Sequence, residues 1–261
     1  MAENSTVDPR RPTGDPPVPL MQAERVEKRF GGVRALREVD FAIHAGRVVG
    51  LVGDNGAGKS TLVRILAGAL QPDSGRILFG GEEVMIRNPR QAREMGIETV
   101  HQSLALVERM DAAANIFLGR EPLRKAIPGV AVVDRRRMRD EAAALLGRLS
   151  IHIDSLAAPV STLSGGQRQS VAVSRAISTT PKVVLLDEPT AALGVAEADR
   201  VLQLVRRLRE QAIGIVLISH TLQHVFAVAD RIVVLHRGAK VFETEAARTT
   251  MDEVVRYIVG G

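Results

Sequence analysis

No cysteine and no tryptophan occur among the 261 residues, and aromatic side chains make up only 3% of them. The first absence removes disulfide frameworks, thiolate metal sites and cysteine nucleophiles from consideration. Six Phe and one Tyr leave few platforms on which single-stranded bases could stack. Long hydrophobic runs are missing too. Val183 to Leu186 and Ile215 to Ile218 fall far short of the roughly 18 residues of a membrane span. Where a secretory leader would carry an apolar run, the N-terminus has acidic residues and Pro9, Pro12, Pro16, Pro17 and Pro19. The chain is therefore expected to be soluble by itself. A strong excess of one charge is also lacking: 35 Lys and Arg against 30 Asp and Glu leave +5, too little to argue for a nucleic-acid partner. Smaller polyanions, nucleotides among them, remain open.

What is present is ordinary globular composition, 45% hydrophobic and 25% charged. A chain of this size can bury enough surface for one large domain with a smaller lobe. Residues 1–20 read as a disordered tail, because proline and polar residues leave nothing to bury. The domain is expected over 21–261. Apolar runs then alternate with helical patterns: Val39 to Ile43, Arg47 to Val52, Ile97 to Val100, Val183 to Leu186, Ile213 to Ile218 and Ile232 to Leu235. Several are continuously apolar, which suits central strands covered on both faces. The fold class is thus α/β, a mainly parallel sheet between helices. Asn88 ahead of Pro89 predicts a helix start, and Gly96 its end. Between Gln102 and Lys182 the strand signals stop. Met110 to Leu118, Asp134 to Leu149 and Gly166 to Ser178 read as helices there, so a helical lobe is expected over about 103–180. Arg135, Arg136 and Arg137 read as a solvated face.

Gly53-Asp54-Asn55-Gly56-Ala57-Gly58-Lys59-Ser60-Thr61 follows an apolar strand and precedes the helical run Leu62 to Leu66. It fits G-x-x-x-x-G-K-[ST] in the context that pattern needs. Its glycines let successive N–H groups face a phosphate, and the following helix adds its positive end. Lys59 is expected on the β- and γ-phosphates of ATP and the Ser60 hydroxyl on Mg²⁺. A second apolar strand ends in Asp187 and Glu188. Adjacent strand residues point to opposite sides, so the two need not share a role. Asp187 is expected to hold Mg²⁺ through water, and Glu188 to act as general base on the attacking water.

Leu163-Ser164-Gly165-Gly166-Gln167-Arg168-Gln169 opens a helix with two more glycines. With it, the chain resembles the ATP-binding cassette family over about residues 21–260: an LSGGQ-type signature stands between a phosphate loop and an Asp-Glu strand end, in the family's order. The resemblance implies a P-loop nucleoside triphosphatase core with an antiparallel β portion. It implies that Phe30 stacks on adenine, that Gln102 touches Mg²⁺ and the attacking water, and that His220 contacts the γ-phosphate. The signature residues, here Ser164 to Gln167, are implied to act on ATP carried by a second copy. Two chains would then face head to tail as a homodimer around two ATP molecules.

Most cassettes place aspartate after the run Thr190-Ala191-Ala192-Leu193, where this chain has Gly194. That aspartate communicates across the dimer, so coupling between the sites is the property at issue. The run looks like the variant of bacterial simple-sugar importers. Phe30-Gly31-Gly32-Val33-Arg34-Ala35-Leu36 agrees, as does Leu104 to Val107 leading to Ala114 to Glu121. The implied partners are a polytopic membrane permease, docked near Gln102 to Phe117, and an extracytoplasmic sugar-binding protein, with this chain on the cytoplasmic face of the cell membrane. Branched-chain amino-acid importers and exporters are the alternatives. A soluble cassette acting on ribosomes or DNA is disfavoured, because no heptad run fills the stretch between Gln102 and Leu163.

Overall fold

The computed structural model describes residues 18–101, 103–127, 130–153 and 155–260. The strands are β1 (Met21–Phe30), β2 (Val33–Ile43), β3 (Val48–Val52), β4 (Ser74–Phe79), β5 (Glu82–Val84), β6 (Ile97–Val100), β7 (Leu123–Ile127), β8 (Val130–Val133), β9 (Val183–Asp187), β10 (Gly214–Ile218), β11 (Arg231–His236) and β12 (Ala239–Glu245). The α-helices are α1 (Lys59–Leu66), α2 (Pro89–Glu94), α3 (Ala112–Ile116), α4 (Arg135–Arg148), α5 (Gly165–Ile177), α6 (Val195–Glu210), α7 (Leu222–Val228) and α8 (Met251–Val259).

Six strands form the central sheet in the order β12-β11-β3-β10-β9-β6. All its pairings are parallel except the edge strand β12. β3 and β10 are buried along their whole length, as their unbroken apolar runs require. Side chains alternate across the sheet. Val184, Leu186, Ile215 and Leu217 enter a core shared with α3 to α6. Val183, Leu185, Val216 and Ile218 enter a second core, with α1 and an antiparallel sheet ordered β2-β1-β4-β5. The expected α/β class, with a parallel sheet and an antiparallel portion, is therefore what the chain adopts. Asn88 caps α2 by accepting the N–H of Gln91 at 2.9 Å, with Pro89 at the first helical position.

Three expectations need correction. The lobe over about 103–180 is not purely helical, because β7 and β8 pair there as a separate antiparallel hairpin. Their aliphatic residues flank Pro128-Gly129, a turn signal outside the described residues, and the runs are too short to stand out by periodicity. The helix expected over Met110 to Leu118 shrinks to α3. Asp111 caps it, and the buried side chain of Asn115 bonds the backbone of Val107, Met110 and Asp111 around its start. The expected tail also ends early, since Leu20 packs on the second core and its carbonyl accepts the Gly80 N–H at 2.9 Å. Residues 1–17 lie outside the described ones. Arg135, Arg136 and Arg137 are exposed, a solvated face as expected.

Candidate functional site

Parallel strands deliver their C-terminal ends to one edge, where ligands of open α/β sheets bind. Register places Leu51 of β3 opposite Ile218 of β10, and Ile218 opposite Asp187 of β9. The loop from Gly53, then His220, then Glu188 therefore leave neighbouring strands side by side. The expected catalytic Gln102 follows β6, next in the sheet, but lies outside the described residues.

The loop from Gly53 turns tightly around a point of backbone approach. Gly53 has φ +146°, and a Cβ there would sit 2.1 Å from the Leu235 carbonyl oxygen. Gly58 has φ +106°, and its Cβ would sit 2.6 Å from the Ala35 carbonyl. Neither position can take a side chain. The helix begins at Lys59, earlier than the apolar run Leu62 to Leu66 suggested, and no side chain caps it. Its first N–H groups are left for an external acceptor, the arrangement that binds phosphate. The Lys59 ammonium folds back onto the carbonyls of Gly53 at 2.6 Å and Asp54 at 2.9 Å. Burial pushes its pKa down, while Glu188, Asp54 and Asp187 pull the other way.

Glu188 leaves β9 with φ +52°, a left-handed conformation rare for a side-chain-bearing residue. The kink breaks strand alternation, so Asp187 and Glu188 line the same cleft. Desolvation raises the Asp187 pKa, and the neighbouring Glu188 charge adds to it. Nδ1 of the exposed His220 is 2.8 Å from Oε2 of Glu188, but the groups are not aligned for a hydrogen bond. That oxygen is buried without a hydrogen-bonding partner. A half-buried carboxylate pair with an orphaned oxygen fits a place for a cation and a water. Among the described residues no group of three or more His, Asp or Glu could hold a metal unaided. Magnesium bound through Ser60 and Asp187 would thus depend on phosphate oxygens, its usual mode in such sites.

The cleft encloses about 820 Å³ and is lined by Asn55, Gly56, Ala57, Gly58, Lys59, Ser60 and Thr61, the two carboxylates and His220. Phe30, at the end of β1, stands at its mouth half exposed, with the Lys28 ammonium 5.9 Å from the ring centre. Arg34, Arg37 and Arg237 line it as well, and sequence reasoning gave them no role. Two come from β2, Arg34 within the run Phe30 to Leu36, and one from the turn after β11. Their charge suits a triphosphate. Gly53 and Asp54 line a smaller adjoining pocket beside His220.

Ser164, Gly165, Gly166 and Gln167 are not brought to this cleft. They form the first turn of α5, capped reciprocally: Ser164 Oγ accepts the Gln167 N–H at 3.3 Å, and Gln167 Oε1 accepts the Ser164 N–H at 3.0 Å.

A glycine-rich loop cradling the start of a helix, with a carboxylate pair on the neighbouring strand, defines a P-loop nucleoside triphosphatase. More narrowly, the chain belongs to the ABC transporter family, whose model it matches over residues 36–191. It is 43% identical over 239 residues to a xylose/arabinose import ATP-binding protein of Sulfolobus acidocaldarius, covering 92% of this chain and 93% of that one. To a fructose import ATP-binding protein of Rhizobium meliloti it is 44% identical over 245 residues, covering 93% and 94%. A ribose import ATP-binding protein of Streptomyces coelicolor is 43% identical over 94% of this chain, which spans 46% of that longer protein. Among solved structures, the ADP conformation of an ATP-binding cassette of an ABC transporter superposes with a TM-score of 0.79 at 25% identity, covering 93% of this chain and 96% of that one. A dimeric cassette bound to ADP and Pi gives 0.71 at 25% identity, covering 87% and 98%. Among the described residues no helix is long and apolar enough to cross a membrane.

Proposed function

We propose that this chain is the ATP-hydrolysing, energy-coupling subunit of an importer for a simple sugar. The observation that carries the chemistry is the meeting of the Lys59 loop, Glu188 and His220 at one sheet edge, in one cleft. Relatives named for xylose/arabinose, fructose and ribose import support the cargo class. In this reading Phe30 stacks on adenine, and Gly53 to Thr61 hold the phosphates with backbone N–H groups and Lys59. Ser60, Asp187 and Gln102 would hold Mg²⁺, which when bound offsets phosphate charge. Glu188 takes a proton from water as the water oxygen bonds to the γ-phosphorus and the bond to the β-phosphate oxygen breaks, giving ADP and phosphate. His220 orients that phosphate beside Glu188.

Ser164 to Gln167 do not line their own cleft, which suits a second copy docked head to tail with ATP between. A cassette solved as a dimer supports pairing of two copies. The dimer works on the cytoplasmic face of the membrane against a polytopic permease, which an extracytoplasmic sugar-binding protein supplies. Phosphate release from Mg-ATP by the purified chain, abolished in Lys59→Ala, tests the ATPase. Affinity capture from detergent-solubilised membranes tests the rest. A permease together with a sugar-binding protein is the expected outcome, and recovery with ribosomes or DNA would overturn the transport reading.

A further inference from the structure

Glu197 lies in the first turn of α6, in the segment that leads on from Glu188. Its Oε1 accepts the N–H of Gly166 at 3.2 Å, and its Oε2 accepts the N–H of Gly194 at 3.4 Å. Together with the Ser164 hydroxyl, these bonds hold its carboxyl below the usual range, the Gly166 bond foremost. One carboxylate thus neutralises the positive ends of two helices, α5 and α6.

The contact is built to be close. A Cβ on Gly166 would stand 2.9 Å from Cβ of Glu197, and a Cβ on Gly165 would stand 3.0 Å from Cδ2 of Leu193. Glycines at these positions let the start of α6 lie against the start of α5. The segment's other end is tied as well. The Glu188 N–H donates to the Ile218 carbonyl at 3.1 Å, and the Thr190 hydroxyl lies 2.9 Å from Nδ1 of His224. Between these ties, Glu188 and Ala192 both adopt left-handed backbone, φ +52° and +59°. Gly194 has extended backbone and open space about its Cα, with no side chain to carry a signal.

We propose that Glu197 is a positioning residue that keeps the place of a phosphate. In the free chain its carboxylate occupies the Gly166 N–H. The terminal phosphate of the ATP carried by a second copy displaces it, and the segment that begins at Glu188 is released from α5. The proposal rests on the head-to-tail reading given above. An N–H has one hydrogen to donate, so the two anions compete for it, and a phosphate bearing more charge is the stronger acceptor. Arrival of nucleotide against one chain is then felt at that chain's own Glu188, which serves the other ATP. Here the carboxylate that links the two sites stands at Glu197 and not at Gly194.

The test is made on the full chain carrying Glu188→Gln, with light scattering to follow dimerisation as Mg-ATP is raised. Adding Glu197→Gln should lower the ATP concentration for half-maximal dimerisation by about five-fold or more, the lower end of ordinary coupling between sites. Binding of a fluorescent ATP analogue to the monomer should stay within about two-fold, because the loop from Gly53 is untouched. A merely structural Glu197 gives the opposite sign, since a loosened α5 docks less well. Glu197→Asp, charged but on a shorter arm, should fall between the two and keeps the question open to measurement if the glutamine variant folds poorly. An unchanged or higher ATP requirement in both variants overturns the proposal alone. A Glu188→Gln chain that stays monomeric at saturating Mg-ATP overturns the head-to-tail reading, and this one with it.

Discussion

Nδ1 of His220 and Oε2 of Glu188 stand 2.8 Å apart, on the ends of neighbouring parallel strands and from residues far apart in the chain. The kink at Glu188 and the exposure of His220 put both on the cleft in which the terminal phosphate and its attacking water are proposed to meet. Removing the base while keeping the shape should therefore separate binding from turnover. Glu188→Gln is expected to slow phosphate release about 10²–10⁴-fold, the usual worth of a positioned general base. Mg-ATP affinity should change by less than about two-fold, as measured by fluorescence titration. Equal loss of both would mean that Glu188 holds nucleotide and does not activate water.

Asp187 carries a second prediction, through pH. Its folded pKa is raised by desolvation first and by Glu188 second, so the folded state holds its proton more tightly than the unfolded chain does. Where the folded state binds more protons, stability falls as pH rises. Its contribution is most favourable below the unfolded pKa and is lost as pH climbs through the folded one. Asp187→Asn should therefore raise the Tm of the nucleotide-free protein near pH 7.5, while near pH 4 the difference should shrink toward zero. The gain should not exceed about 2–4 °C, because a half-buried carboxyl keeps part of its hydration. The same variant should lose the Mg²⁺ dependence of ATP binding. A Tm gain that persists at acid pH would refute the electrostatic account.

Much of this was legible in the sequence, for reasons that differ by element. β3, β9 and β10 are central strands buried on both faces, so their apolar runs are unbroken and the motifs at their ends stand in clear context. β1 and β2 mix exposed and buried positions and β12 has no fully buried one, so none shows an unbroken apolar run, and the pairing of β1 with β4 joins residues far apart in the chain. The β7-β8 hairpin escaped because exposed aliphatic residues such as Ile127 and Val130 mimic neither a core strand nor an amphipathic helix. In the site, motif residues were readable one by one. Arg34, Arg37 and Arg237 were not, since only tertiary packing brings β2 and the β11-β12 turn over the cleft. The Glu197 contact with Gly166 likewise depends on how α6 lies on α5.

The phosphate loop offers a comparison between two of its glycines. Gly58 combines φ +106° with a blocked Cβ, whereas Gly56 has φ +81° and open space. Gly56→Ala pays only backbone strain, about 1–3 kcal/mol, and should fold with weakened ATP binding. Gly58→Ala adds a collision with the Ala35 carbonyl and the Leu36 side chain, so the loop must move. It should lose more stability in urea than Gly56→Ala and lose ATP binding altogether. Equal costs would show that the close approach of β2 to this loop is not what demands glycine.

A groove of about 340 Å³ between the sheet edge and the lobe gives the last prediction. Ser103, Leu104, Ala105 and Leu118 line it, beside a charged cluster. Glu98 is buried, with Thr179 donating to it at 3.1 Å and the Arg120 guanidinium forming an ion pair with it at 3.5 Å. Burial raises the Glu98 pKa and lowers that of Arg175, whose Nη1 donates to the Ala105 carbonyl at 2.9 Å. Arg120 in turn donates to the Arg175 carbonyl at 2.9 Å, so one network ties the end of β6, the start of the lobe and α5. The groove is lined by Ser103, Leu104 and Ala105, within the stretch where the permease is proposed to dock, and Arg93, Arg120 and Arg175 outnumber the single carboxylate. A docked segment bearing an acidic group would restore balance. Arg120→Glu should then lower the permease-stimulated ATPase rate, measured in reconstituted vesicles, about ten-fold more than the rate of the free chain, because a like charge facing an acidic partner costs on the order of 1 kcal/mol or more. Equal losses in both assays would place Arg120 in the fold of the lobe and leave the groove without a role in docking.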